Sequence, residues 1–302
     1  MILTVTFNPA VDHTVHVDGA LSGDGVVDRA SDARYDAGGK GINVSKYLVE
    51  LDTETLATGL VGGFLGDYVR ERLAVANIPH DLVDIDGLTR LNTTVLADEE
   101  YKINQSGPRV GPSAVDAVAE TIEHYDPDRV VVAGSLPPGL DVSAIDAVSR
   151  AGDWETVVDL GGGTLADLHA HYAMCKPNRE ELAEATGLPV ESFEECVAAT
   201  EALREQGFET VVASLGADGA LLADGDDVFH APSRDVDVVD TVGAGDALLS
   251  GVLASQARGA APRRALSDGV AVAARVVSVS GTRVPSFSGF PTDADPVAVA
   301  VR

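Results

Sequence analysis

The sequence predicts an α/β fold: a mostly parallel central sheet with helices on both faces, plus a small separate β layer. Three observations predict it. Short β-branched runs alternate with helix-period segments along most of the 302 residues. The strand runs are short and rich in β-branched residues, and their alternation with helices argues for a sheet covered on both faces. Two segments break this rhythm with hairpin patterns inserted at separate points.

The first strand is expected over 2–7, running straight into a turn-rich segment. Residues 12–36 carry Val15, Val17, Val26 and Val27 around Ser22-Gly23-Asp24-Gly25, a hairpin pattern. A helix is expected over 43–51, a strand over 55–61 and a helix over 67–76. The second hairpin follows over 90–105, around the acidic turn Asp98-Glu99-Glu100. Helices over 114–125 and 142–151 flank a strand over 129–133, and a further strand is expected over 156–159. In 193–206 the residues Phe193, Cys196, Val197, Thr200 and Leu203 recur at helical spacing, and Gly207 stands where a helix C-terminus is expected. A strand over 210–214 and a helix over 247–256 complete the pattern. The chain is expected to be one domain over 1–302, with a discontinuous β lid formed by about 12–36 and 90–106.

Composition narrows the function. There are 48 Asp and Glu against 21 Lys and Arg, a net charge of -27, and only four lysines: Lys40, Lys46, Lys102 and Lys176. The acid is scattered rather than blocked, which suits a protein kept soluble at very high salt, where screening suppresses self-repulsion. A halophile's cytoplasm is the expected setting. No basic face is present for nucleic acid. Two cysteines give no paired framework, which fits a reducing interior. The opening Met1-Ile2-Leu3-Thr4-Val5 has no charged leader, so no signal peptide is expected. No stretch of about 20 apolar residues is present to span a membrane. His13, His16, His169 and His171 lack a further ligand set and are expected to bind no metal.

Chemistry concentrates in two glycine-rich runs. Asp240-Thr241-Val242-Gly243-Ala244-Gly245-Asp246 stands directly before an apolar helix. Its glycines let backbone N–H groups approach an anion, and the helix start adds a positive dipole end. A carboxylate planted there, Asp246, makes sense if it takes a proton from a hydroxyl that attacks phosphorus. The same run also fits a plain strand-to-helix turn with a first-turn acid. Upstream, Asp36-Ala37-Gly38-Gly39-Lys40-Gly41-Ile42-Asn43 again sets glycines before a helix, here with a lysine for phosphate and an asparagine for hydroxyls. The spacing is not that of a Walker A loop.

In this order, the two runs resemble the signature motifs of the ribokinase-like (PfkB) carbohydrate kinases. The resemblance covers essentially the whole chain. The opening Thr6-Phe7-Asn8-Pro9-Ala10-Val11-Asp12 is similar to that of the phosphosugar branch. Thr89-Arg90-Leu91-Asn92, Asn104-Gln105-Ser106-Gly107, Gly134-Ser135-Leu136-Pro137-Pro138-Gly139, Lys176-Pro177-Asn178-Arg179-Glu180-Glu181 and Ser214-Leu215-Gly216-Ala217-Asp218-Gly219 also fall in family order.

The resemblance implies a ribokinase-like fold, ATP and Mg²⁺ as cofactors, and a ketose phosphate as acceptor. Fructose 1-phosphate is the first choice, with fructose 6-phosphate or tagatose 6-phosphate as alternatives. Asp246 becomes the general base or an orienter of the hydroxyl, and Gly243, Ala244 and Gly245 the anion hole. Asp12, Gly38, Gly39, Asn43 and Asn104 fall on the sugar side. Lys40 and Arg90 would share the phosphate already on the sugar. Lys176, Asn178, Ser214, Gly216, Gly219, Thr241 and Gly243 fall on the ATP side, and Glu181 would organise the metal through water. The hairpins become a lid that closes over the sugar and builds a homodimer. Two departures stand out: Thr94 occupies a position where the branch often has lysine, and Asp159-Leu160-Gly161-Gly162-Gly163 replaces a more usual Asp-x-Ser-Gly. A non-catalytic sugar-phosphate sensor is the reading from another class, and the intact Asp246 argues against it.

Overall fold

The computed structural model describes residues 1–23, 25–279 and 284–287, and the backbone of 299–300. In chain order its elements are β1 (Ile2–Thr6), β2 (Ala10–His16), β3 (Asp32–Gly38), α1 (Lys40–Glu50), β4 (Thr55–Val61), α2 (Gly63–Val75), β5 (Val83–Asp84), β6 (Arg90–Leu96) and β7 (Glu100–Asn104). There follow α3 (Ser113–Tyr125), β8 (Arg129–Ala133), α4 (Val142–Arg150), β9 (Glu155–Asp159), α5 (Gly162–Ala166), β10 (Tyr172–Cys175), α6 (Arg179–Thr186), α7 (Phe193–Glu205) and β11 (Phe208–Ser214). The chain closes with β12 (Ala220–Asp224), β13 (Asp227–Ala231), α8 (Ala244–Ala257), α9 (Pro262–Val277) and β14 (Val299–Ala300).

The large sheet has the order β14-β13-β12-β11-β10-β9-β8-β1-β4-β5. From β5 to β11 every pairing is parallel, and β12, β13 and β14 add an antiparallel edge. Successive side chains of one strand enter opposite cores. Leu3, Val130, Val132 and Val158 pack with α3, α4, α6 and α7 on one face. Ile2, Val131, Val157 and Val212 pack with α1, α8 and α9 on the other. Burial on both faces is why these runs carry β-branched residues at successive positions rather than a strict apolar–polar alternation.

The two inserted hairpins form one second sheet, in the order β3-β2-β6-β7. Its join is parallel, with β2 beside β6 in the register Asp12 to Asn92. β2 pairs antiparallel with β3, Asp12 opposite Asp36, and β6 with β7, Asn92 opposite Asn104. The first hairpin is wider than the turn run suggested: its strands pair Ala10–His16 with Asp32–Gly38, and residues 17–31 form the connection. Asp24, inside the expected turn, lies outside the described residues. Because facing residues share a side, Asp12, Asp36, Asn92, Asn104 and Arg90 lie on one face of this sheet. Val11, Ala37 and Leu91 lie on the other, packed onto the core beside α2.

This sheet grows directly from the elements that carry the site. β1 continues into β2, and β3 runs through Gly38 and Gly39 into α1. Helix boundaries differ from the periodicity at their glycine-rich starts. α1 begins at Lys40, α2 at Gly63 and α8 at Ala244, each earlier than the apolar spacing indicates.

Candidate active site

The site lies at the carboxyl ends of the parallel strands, where open α/β sheets place their ligands. Asp159 ends β9, Lys176 follows β10, Ser214 ends β11, and the first turns of α1 and α8 face one another across the gap. Asp246, 7% exposed, accepts a hydrogen bond from Asn43 Nδ2 at 2.9 Å. This contact joins the two glycine-rich runs. Burial, then repulsion from the Asp159 carboxylate, pushes the Asp246 carboxyl up to about 6, against the help of Asn43, Lys176 and Lys40.

The turn before Asp246 needs its glycine. Gly243 has φ +80°, and a Cβ there would come within 2.6 Å of the Tyr47 hydroxyl. The first helical bond of α8 runs from the Ala247 N–H to the Gly243 carbonyl, and the Ala244 N–H turns back to Thr241. The N–H groups of Gly245 and Asp246 belong to the helix start, where donors lack intrahelical partners. Gly245 lies beside Lys176: a Cβ there would be 3.2 Å from Nζ.

Two lysines surround a buried acid. Asp159, fully buried, receives Lys40 Nζ on Oδ1 at 2.8 Å and faces Lys176 Nζ from Oδ2 at 3.4 Å. Lys40 Nζ also lies 3.8 Å from Glu181 Oε1. Burial lowers the Lys40 ammonium's pKa, but the neighbouring Asp159, Glu181 and Asp246 outweigh it, so the net shift is upward. Glu181 and Asn178 form a reciprocal cap on α6: Asn178 Oδ1 accepts from the Glu181 N–H at 2.9 Å, and Glu181 Oε2 from the Asn178 N–H at 2.8 Å. That cap leaves Glu181 Oε1 turned towards Lys40.

Lys40 and Arg90, both expected at the phosphate already on the sugar, have different partners. Lys40 is drawn to Asp159 and Glu181, because a buried carboxylate is the stronger attraction for an ammonium. Arg90 lies in the small sheet, its Nε donating to the Asn8 carbonyl at 3.1 Å and its Nη1 to the Gln105 carbonyl at 3.3 Å.

The remaining sugar-side residues gather near Arg90. Asp12 Oδ1 accepts from Asn92 Nδ2 at 3.0 Å, and Gly38 lies so close that a Cβ would overlap Asp12 Oδ2. Gly39 caps α1, and exposed Asn104 ends β7 opposite Asn92. On the other side of Asp246 a cleft of about 860 Å³ is lined by Asn178, Ser214, Gly216, Gly219, Thr241 and Gly245, with Val238, Ala273 and Val277 adding an apolar wall. The candidate residues thus fall into two groups that meet at Asp246 and Asn43.

A model of the pfkB family of carbohydrate kinases matches residues 5–287. The chain belongs to that family. A Haloferax volcanii 1-phosphofructokinase is 54% identical over 99% of this chain and 98% of its own length. A Bacillus licheniformis D-tagatose-1-phosphate kinase is 33% identical over 88% and 89%. Among solved structures, Escherichia coli phosphofructokinase-2 in complex with potassium superposes with a TM-score of 0.87 at 25% identity, covering 95% of this chain and 96% of that one. The same enzyme is also known in a tetrameric inhibited form, TM-score 0.84 at 25% identity, covering 91% of this chain and 93% of that one.

As a pfkB kinase the chain shows further residues of weight that sequence reasoning passed over. Asn8 is buried, and its Nδ2 donates to the Ser106 carbonyl at 3.1 Å and to Ser135 Oγ at 3.3 Å, tying three loops around Arg90. It stood inside a quoted motif but had no assigned task. Asp159 was noticed only as a departure, and its lysine partners are invisible without the fold. Among the described residues no helix is long and apolar enough to cross a membrane, and no group of three His, Cys, Asp or Glu is placed to hold a metal directly.

Proposed function

We propose that this kinase transfers the γ-phosphoryl group of ATP to O6 of fructose 1-phosphate. The observation that carries the reading is the Asn43–Asp246 hydrogen bond. It places the only buried carboxylate of the α8 turn between the sugar-side group and the nucleotide cleft. The 54% identical relative, a 1-phosphofructokinase, supports the choice of substrate.

Asp246 meets the O6 hydroxyl and accepts its proton as the O6–P bond forms and the bond from the γ-phosphorus to the bridging oxygen breaks. Asn43 fixes Oδ2 of that carboxylate, leaving Oδ1 to the substrate. The first-turn N–H groups of Gly245 and Asp246 face the charge that spreads over the phosphoryl oxygens, with Gly243 shaping the turn; of the expected anion hole, the Ala244 N–H is committed to the Thr241 carbonyl. Lys40 and Lys176 add positive charge at the same point, which reassigns Lys40 from the sugar's own phosphate to the transferred group. Arg90, held by the Asn8 and Gln105 carbonyls, takes the resident phosphate, and Asp12, Asn104 and the Gly38–Gly39 backbone take hydroxyls. Ser214, Gly216, Gly219, Thr241 and Asn178 line the ATP side.

The residues fit a hydrated divalent cation. Buried Asp159 Oδ2 accepts no hydrogen bond and has only the 3.4 Å ion pair to Lys176, and Glu181 Oε1 has only the long contact to Lys40. Three carboxylates against two ammonium groups would otherwise repel a polyphosphate. Mg²⁺, held through water by Glu181 with Asp159 beside it, supplies neutralisation of the β- and γ-phosphates when bound.

The small sheet carries sugar-side residues on one face, which supports a lid that excludes water during transfer. Its outer strands β3 and β7 present edges, which supports a homodimer formed through that sheet. Two free, buried cysteines and the scattered acid support a cytoplasmic setting at high salt. Tagatose 1-phosphate is the second reading, favoured by the tagatose-phosphate kinase relative.

A coupled assay of ATP turnover at high KCl tests the reading. Fructose 1-phosphate, tagatose 1-phosphate, tagatose 6-phosphate, fructose 6-phosphate and free fructose are compared by kcat/KM. Fructose 1-phosphate is expected to lead by tenfold or more. A lead by an unphosphorylated sugar would remove the Arg90 assignment, and no sugar-dependent turnover would favour a sensor.

A further inference from the structure

Asn43 stands between Asp246 and a second charged group. Its Nδ2 donates to Asp246 Oδ2 at 2.9 Å, and its Oδ1 accepts from Lys46 Nζ at 3.3 Å. Lys46 lies one turn further along α1 and also donates to the carbonyl of Ala37, near the end of β3. An ammonium can only donate, and an ionised carboxylate can only accept. An amide between the two satisfies both in one orientation alone, oxygen to Lys46 and nitrogen to Asp246. Without the ammonium that constraint is lost, and a flipped amide would set its oxygen against the Asp246 carboxylate.

We propose that Lys46 is a positioning residue for phosphoryl transfer, which locks the Asn43 amide towards Asp246 and fastens it to the end of β3 through Ala37. The proposal rests on Asp246 being the group that meets the sugar hydroxyl. Its second consequence is mechanical. Ala37 precedes Gly38, which lies against Asp12, so one ammonium ties the sugar-side strand to the amide that orients the catalytic carboxylate.

Holding a charge there has a cost. Burial pushes the Lys46 ammonium down, with Asp36, Asp12 and Asp246 supporting it and Arg72 opposing it. The chain has only four lysines, and a merely solubilising one would not occupy this place. A cavity of about 280 Å³ lined by Asp36, Lys46, Arg72 and Val49 adjoins the ammonium, so a slightly larger cation is accommodated.

A double-mutant cycle on the full chain tests this, with Lys46→Met, Lys46→Arg, Asn43→Ala and the Lys46→Met/Asn43→Ala pair. Lys46→Met is expected to lower kcat at least tenfold while KM for ATP stays within twofold. Lys46→Arg is expected to return kcat to within threefold of the parent. Added to Asn43→Ala, Lys46→Met is expected to cost less than twofold, because its effect passes through that amide. An unchanged kcat in Lys46→Met, or the same fold-loss on both backgrounds, would overturn the proposal. If the Met variant does not fold, Lys46→Gln takes its place in the cycle under the same criteria. Near-normal turnover in Asp246→Asn would instead overturn the assignment of Asp246, whatever the cycle shows.

Discussion

Asn43 and Asp246 lie 203 positions apart in the chain and 2.9 Å apart in the fold. The first opens a helix that leaves the small sheet, the second opens a helix beside the nucleotide cleft. On the proposed function, their contact stands at the boundary between the two substrates. A mutation on either side should therefore separate binding from turnover.

Replacing Asp246 with asparagine keeps the volume and an acceptor for Asn43 but removes the base. Turnover should fall by about 10²–10⁴, with KM for both substrates within threefold. Steady-state kinetics at saturating ATP and sugar phosphate check this, and a loss confined to KM would contradict it.

The same side chain makes a prediction about stability. Its folded pKa, about 6, lies above the ordinary value of 3.8. Between those values the folded state binds the extra proton, so the stability it contributes is present below about pH 4 and lost as pH rises through 6. A rise of about two units corresponds to about 3 kcal/mol. Asp246→Asn should therefore be more stable than the parent at pH 8 by about 1–3 kcal/mol, and the gain should vanish towards pH 4. Denaturant unfolding at the two pH values measures it. For activity the sign is opposite: kcat/KM should fall below about pH 6, as the carboxylate protonates.

Arg90 tests the acceptor side. Its guanidinium is pinned by two backbone carbonyls, which aims a planar fork rather than a loose charge. Arg90→Ala should raise KM for the sugar phosphate by about 10–100-fold, the loss of one or two charge-assisted hydrogen bonds, and change KM for ATP by less than threefold. Arg90→Lys should recover little. Equal effects on both substrates would place Arg90 elsewhere in the mechanism.

How far the sequence discloses such a site depends on whether its cause is local. The strands at 2–7, 129–133 and 210–214 are legible because burial on two faces selects short runs rich in β-branched residues. The Gly243 turn is legible because a positive φ beside Tyr47 demands glycine. β10 is only Tyr172–Cys175, too short to stand out from its surroundings. The pairing of Lys40 with Asp159 spans 119 positions and leaves no local mark. For that reason the motif read alone fits a solvated lysine as well as a phosphate ligand. The two hairpins were visible singly, but the parallel β2–β6 join that makes one sheet of them depends on where the large sheet delivers each strand.

Asp159 and Lys176 form a buried pair whose members are 0% and 4% exposed at their side chains. Removing the cation leaves the carboxylate to Lys40 alone. Lys176→Met should cost about 3–5 kcal/mol, the usual penalty for breaking a buried pair. Adding Asp159→Asn should recover part of that stability without recovering activity. Differential scanning calorimetry on the single and double variants checks the order.

Salt dependence separates the chain's surface from its site. With 48 acids against 21 bases, unscreened repulsion works against the compact state. At 0.1 M salt the screening length is about 10 Å, and at 1 M about 3 Å. Tm should rise steeply between 0.2 and 2 M KCl and then level off. The Asp159–Lys176 pair is too buried to be screened in the same way, so Lys176→Met should lower Tm by a similar amount at both salt concentrations. If that difference in Tm collapses at high KCl, the pair is more open to solvent than its burial indicates. If Tm is instead highest at low salt, the acidic surface has a different purpose from solubility in brine.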